Sequence, residues 1–267
     1  MGTIRTRLQS LWWSLIDCVS NWWQRLRDLP GRRKAAGAGA VAVLVGAVVA
    51  VAVLAGPDRS EPAPNPARMA VVTNGDLPAN LWTGWTETPI AGPPAVAVTP
   101  AGASAVPEAC VPGGQLQQQV QHLGVDGPLW AGTAFVNVAL GARAETMIAA
   151  NDGDINRAVD TWSAACGQAR VNLGESTVDV QVKQLPVNAS AYRLKAARVV
   201  AQTVTPTTPN AEAESSTLTA VGRSGGYVSY VTLTFPGPVN DDAIVTLDTL
   251  WRAQAAKLIA YQQTGEL

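Results

Sequence analysis

The chain carries a single histidine, His122, and only three cysteines among 267 residues. Imidazole is the one side chain that ordinarily titrates near neutral pH, so histidine-based nucleophilic catalysis or a multi-histidine metal site has almost nothing to work with. No Ser-x-x-Lys sequence and no glycine-rich phosphate loop occur either. Gly222-Arg223-Ser224-Gly225-Gly226 lies between two strand-like runs and reads as a hairpin turn, not as a nucleophile elbow, which needs a strand before it and a helix after it. Asn151-Asp152-Gly153-Asp154-Ile155-Asn156 opens like a calcium loop. Arg157 stands where the loop glycine belongs and Ser163 where the bidentate glutamate belongs, so the cluster reads as a helix N-cap. No catalytic residue, metal ligand or cofactor is assigned, and the chain reads as a non-enzyme.

Charge is missing altogether from Ala35 to Ala55, a run of Ala, Gly, Val and Leu directly behind Arg32, Arg33 and Lys34. Twenty-one helical residues reach about 30 Å, the thickness of a bilayer's hydrocarbon core. The basic cluster before the run favours a cytoplasmic N-terminus and an exported C-terminal bulk. A signal peptide has a shorter leader and a shorter apolar region than this. Leu54-Ala55-Gly56 begins like a lipobox, but Pro57 stands where the acylated cysteine is required. A retained helix over residues 35–56 is therefore expected. Ala42, Gly46 and Ala50 put small residues on one of its faces, the pattern through which helices pack in lipid and through which two copies would dimerise.

Residues 1–34 show the clearest helical period in the chain. Ile4, Leu8, Leu11, Trp12, Leu15, Ile16, Val19, Trp22, Trp23 and Leu26 follow i, i+3, i+4 spacing, with Arg5, Gln9, Asn21 and Arg25 on the other side. Trp12, Trp13, Trp22 and Trp23 suit the headgroup boundary, and the segment's net charge of +5 suits anionic lipid. An in-plane amphipathic helix is expected, its partner being membrane lipid, with a membrane protein as the competing occupant of the same face. Pro30-Gly31 ends it.

Beyond the run, residues 57–76 form a Pro-rich linker, and residues 77–267 are long enough for one domain with a core of its own. The part after residue 34 has a net charge of −6, which argues against a nucleic-acid partner. Cys110 and Cys166 are its only cysteines, and an exported pair in an oxidising compartment reads as a disulfide. The loop it closes, 57 residues, corresponds to roughly 4 kcal/mol of chain entropy.

A capped amphipathic helix is expected from Ile155 to Ala165, and a final helix from Asp241 or Asp242 to Tyr261, with Ile244, Leu247, Leu250, Trp251, Leu258 and Ile259 inward. Gly114–His122 reads as a short helix or an edge turn. Strands are expected at Thr133–Leu140, Thr177–Leu185, Ala196–Thr205, Ser216–Val221 and Tyr227–Phe235, the last two joined at Gly225-Gly226. Consecutive strands with few helices give an antiparallel α+β domain. Its tryptophans either complete a core or line an apolar cleft, for which Trp130, Trp162 and Trp251 are the candidates.

Several short motifs carry a resemblance. Trp162-Ser-Ala-Ala-Cys166 at a helix end, Leu173-Gly-Glu-Ser176 before a strand, Val221-Gly222-Arg223 entering the last hairpin, and Ala253-Gln-Ala-Ala-Lys-Leu258 in the terminal helix resemble the extracytoplasmic sensor domain of actinobacterial membrane proteins, found on mycobacterial receptor kinases of the PknH type. The resemblance spans about residues 105–262. It implies a sheet with two packed helices, a cleft between them and a ligand-sensing role. Those domains commonly hold two disulfides where this chain offers one pair, and no kinase sequence precedes the apolar run. The reading is a single-pass membrane protein whose exported domain binds a small ligand or an envelope protein. The alternative is an accessory subunit of a secretion or transfer complex, acting through its tail and span.

Overall fold

The structure is a computed structural model that describes residues 66–90, 99–121, 130–150, 153–174, 176–207 and 213–264. The expectations for the tryptophan-rich tail, the apolar span with Ala42, Gly46 and Ala50, and His122 fall outside these residues. Among the described residues no helix is long and apolar enough to cross a membrane.

Nine strands form one antiparallel sheet: β1 (Thr86–Pro89), β2 (Ser104–Val106), β3 (Trp130–Asn137), β4 (Ala142–Ala150), β5 (Ala169–Asn172), β6 (Thr177–Leu185), β7 (Lys195–Pro206), β8 (Ser215–Ser224) and β9 (Tyr227–Pro236). Their order is β1-β3-β4-β9-β8-β7-β6-β5-β2. The helices are α1 (Pro66–Met69), α2 (Gln115–Gln121), α3 (Ile155–Ala165) and α4 (Asp241–Thr264). An α+β domain built on an antiparallel sheet is thus what the chain makes.

Local chemistry accounts for most element ends. On β6, Val178, Val180 and Val182 are buried while Gln181 and Lys183 point to solvent, the period-2 signature of a strand with one covered face. The β8–β9 hairpin turns at Gly225, whose φ of +57° lies in the left-handed region. Helix α3 starts where the Asp154 carboxylate accepts from the Arg157 backbone N–H, so the acidic cluster at its head is a cap. Helix α4 is capped by Asn240, whose side-chain oxygen accepts from the Ala243 N–H, one residue before the expected Asp241 or Asp242. Those two acids occupy the first turn, where the helix dipole favours negative charge.

The sheet is the middle of three layers. Residues of one parity on β7, β8 and β9 (Val199, Ala201, Leu218, Ala220, Val231, Leu233) pack with Leu247, Leu250 and Trp251 of α4. Residues of the other parity (Val200, Val221, Val228), with Val178, Val180 and Val182 of β6, pack with Ile155, Val159 and Trp162 of α3 and Val120 of α2. Gly222 on β8 leaves room under α4, since a Cβ there would lie 2.8 Å from Leu194 Cδ1 and 3.4 Å from the Trp251 ring.

Three expectations need correction. Ile244, expected inward on α4, is 41% exposed, and Gln254 instead holds a fully buried position on that helix. The strand expected at Thr133–Leu140 starts at Trp130 and ends at Asn137, because residues 138–140 belong to the turn into β4. Ala67, Ala70, Val71 and Val72, placed by sequence in the linker, are buried against Ala131, Ile148, Leu258 and the α4 core. The Gln254 amide fixes this segment: its Oε1 accepts from Val72 N–H at 3.1 Å and its Nε2 donates to the Ala70 carbonyl at 2.7 Å.

Candidate functional site

Cys110 and Cys166 are bonded, with their Cα atoms 5.6 Å apart. Cys166 is the C-cap of α3, and Cys110 ends a short 3-10 turn between β2 and α2. The bridge pins the β2–α2 segment onto the α3 side of the sheet, where Cys110, Val111 and Leu116 join that core.

The three candidate cleft tryptophans do not come together. Trp162 is buried in the α3 layer, and Trp251 is buried in the α4 layer on the opposite face of the sheet. Trp130, half-buried, begins β3 opposite Ala149. Trp251 stacks at 4.2 Å on Tyr192, which makes both core aromatics. Trp82, stacked on Trp85 at 4.7 Å and edge-on to Phe135, also completes the α4-side core.

What the fold assembles instead is a polar floor on the α3 side. Helix α3 covers β6 and β7, and Val221 of β8 and Val228 of β9 belong to the same buried cluster. Further along the same face the registers align Glu145 with Thr232 and Thr219, and Arg143 with Thr234 and Thr217. Most of these side chains are half-buried, and Thr219 is buried. Arg143 and Glu145 pair at 2.6 Å with side chains 33% and 14% exposed, and the Thr217 and Thr234 hydroxyls lie 3.1 Å apart. Tyr230 sits one step along β9, bonded to the Thr219 hydroxyl; burial, and then the charge of Glu145, push its phenol above the ordinary tyrosine range. On α3, Asp160 binds Arg198 of β7 at 3.0 and 3.2 Å and accepts from Gln184 of β6. That pairing, led by the Arg198 hydrogen bonds, holds Asp160 below the usual carboxylate value.

Sequence reading missed this floor. The strand at Tyr227–Phe235 was legible, but the meaning of its Thr232 and Thr234 depends on register with Thr217, Thr219, Arg143 and Glu145 on two other strands. β4 itself (Ala-Arg-Ala-Glu-Thr-Met-Ile-Ala-Ala) is poor in β-branched and aromatic residues, so it gave no strand signal.

A second feature lies at the start of β7. Arg193 and Ala196 have φ of +53° and +59°, uncommon for residues with a Cβ, and a register shift falls between Lys195 and Arg198. Just before it, the Tyr192 hydroxyl donates to Asp248, and the Arg252 guanidinium lies 4.8 Å over the Tyr192 ring. Burial, then the hydrogen bond and charge of Asp248, push Tyr192 up to about 12.

Among the described residues there is no group of three or more His, Cys, Asp or Glu side chains that could hold a metal. The chain matches no family model and no curated protein. Among solved structures it is similar to the extracellular domain of PknH from Mycobacterium tuberculosis, at 11% identity and a TM-score of 0.42, covering 73% of this chain and 93% of that one. It is also similar to an uncharacterised protein of Mycobacterium smegmatis, an Rv0999 ortholog, at 14% identity and a TM-score of 0.38, covering 66% and 90% respectively. The resemblance to both is weak, and no residue role passes from either to this chain.

Proposed function

We propose that this is a membrane-tethered, extracytoplasmic, non-enzymatic binding domain of the sensor kind, which takes a polar ligand on the floor formed by β4, β9 and β8. The observation that carries the reading is the row of half-buried hydroxyl and charged groups (Arg143, Glu145, Thr217, Thr232, Thr234) on the sheet face that α3 covers at β6 and β7. Such groups offer donors and acceptors at fixed spacing to a ligand rich in hydroxyls or amides.

The test is thermal unfolding of the full chain in detergent with soluble cell-wall glycan fragments or short peptides added. A ligand of the floor raises the midpoint of the wild-type protein and not that of Thr217→Val/Thr234→Val. Equal stabilisation of both, or stabilisation by no fragment, refutes the floor as the site. A second reading, docking to an envelope protein, is favoured by exposed Val138, Leu140, Ile244 and Val245, on the β3–β4 turn and the first turn of α4.

A further inference from the structure

The sheet face under α4, opposite the floor, carries hydroxyls inside an otherwise apolar layer. Among the described residues five buried side-chain polar atoms lack a hydrogen-bond partner, and four of them (Trp82 Nε1, Thr146 Oγ1, Ser229 Oγ and Trp251 Nε1) lie on this face. Thr146 stands between Ala144 and Ile148 on β4, and Ser229 shares the parity of Val231 and Leu233 on β9, which sets both toward the α4 layer. Three of the four converge. Thr146 and Ser229 are diagonal neighbours across the β4–β9 pair, about 7–8 Å apart. Ser229 is directly opposite Gly222, and Trp251 Cζ2, two bonds from the indole nitrogen, lies 3.4 Å from where a Gly222 Cβ would be. Gln254 follows on α4, and Leu258 of the next turn packs on Ile148, the residue paired with Ser229.

Residues 66–77 close this seam from the side. Ala70 and Val71 pack with Ala131 and Ile148, and Val72 belongs with Phe135 and Ala144, so the segment crosses the Thr133–Thr146 pair that lies between them. It supplies no strand to the sheet. Small side chains hold it down, together with the Gln254 amide, the Asp76–Lys257 pair at 2.6 Å and the Asn74 N–H on Glu87. It can therefore lift without breaking a strand pair, and lifting it opens the hydroxyl row to solvent. Each hydroxyl left without a mate weighs against the closed form by about tenfold.

We propose that residues 66–77 are a strap that lifts, and that the seam beneath it binds a small neutral molecule carrying both hydrogen-bond donors and acceptors, an amide or a short polyol. Thr146 Oγ1 and Ser229 Oγ can each donate and accept, and Trp251 Nε1 donates. The ligand is neutral because the buried polar residues among those described include no Asp, Glu, Lys or Arg, so nothing in the seam balances a charge. Apolar side chains of the same shape at positions 146 and 229 would hold this core better, and groups retained against stability are those a ligand uses. The seam lies on the face opposite the floor and does not depend on it.

The experiment uses the full chain in detergent with Cys18→Ser, so that an introduced cysteine is the one free thiol. Thr146→Cys and Ser229→Cys report opening of the seam through labelling by methyl methanethiosulfonate. Val221→Cys, buried on the α3 face, reports opening of the whole domain. Labelling at positions 146 and 229 is expected to be at least about 10-fold faster than at 221, and equal rates overturn the strap. Binding is read by saturation-transfer NMR with N-methylacetamide and with erythritol. The wild type is expected to give a signal with at least one of them, weakened at least about fivefold in Thr146→Val/Ser229→Ala. That variant should unfold at a midpoint no lower than wild type, so a lost signal is not lost structure; a lower midpoint shows the hydroxyls already satisfied and counts against the site. Equal signal in the variant, or none from either solute, overturns the site and leaves its hydroxyls to internal water. Thr217→Val/Thr234→Val should leave the signal unchanged, so failure of the floor and failure of the seam are told apart.

Discussion

Gln254 is the position at which the structure makes its sharpest energetic claim. It is a fully buried polar side chain in the middle of α4, and its amide closes two hydrogen bonds on the backbone of Ala70 and Val72, which are themselves buried. Gln254→Leu keeps much of the volume and removes both partners. It leaves one N–H and one C=O without a mate, at about 1–3 kcal/mol each. The expected loss is roughly 2–6 kcal/mol, limited by the cost of the alternative in which residues 67–72 peel off α4 and hydrate. For a domain of this size that lowers the unfolding midpoint by about 10 °C.

Gln254→Glu distinguishes the two bonds. A protonated glutamate can donate to the Ala70 carbonyl and accept from Val72; an ionised one still accepts but turns a charge toward the carbonyl. The folded pKa of this glutamate is therefore raised above its unfolded value of about 4.3. Below that value the variant should approach wild-type stability, and as pH rises toward the folded pKa its stability should fall, because the folded state then binds the extra proton. The assay is denaturant unfolding of the full chain in detergent at pH 4 and pH 7.5. Gln254→Leu within about 0.5 kcal/mol of wild type, or a pH-independent Gln254→Glu, refutes the clip.

Two further outcomes follow from the same structure. Replacing both Cys110 and Cys166 by serine should cost about 2–4 kcal/mol, with the first loosening at residues 104–121, measured by thermal unfolding with and without reductant. Asp76 and Asp160 should contribute to acid sensitivity. Burial raises Asp76, but Lys257 at 2.6 Å and the Thr73 hydrogen bonds outweigh it, and Arg198 holds Asp160 down, so both folded values lie below 3.8. Their contribution is present above that pH and lost as pH falls through the depressed values, so Asp160→Asn should flatten the acid limb of a stability-against-pH curve.

How far the sequence could be read depended on whether the deciding interaction was local. β6 and α3 were legible because alternation on Val178, Val180 and Val182, and the Ile155, Val159, Trp162 spacing, are statements about one segment. β4 was not, since four of its nine residues are alanine, which favours no strand. The place of residues 67–72 was hidden for the same reason: it depends on Gln254, more than 180 positions away. The tryptophan cleft failed because α3 and α4 pack on opposite faces of one sheet, a relation no periodicity encodes. The cysteine pair was the exception, readable at long range because Cys110 and Cys166 are the only cysteines C-terminal to the apolar run.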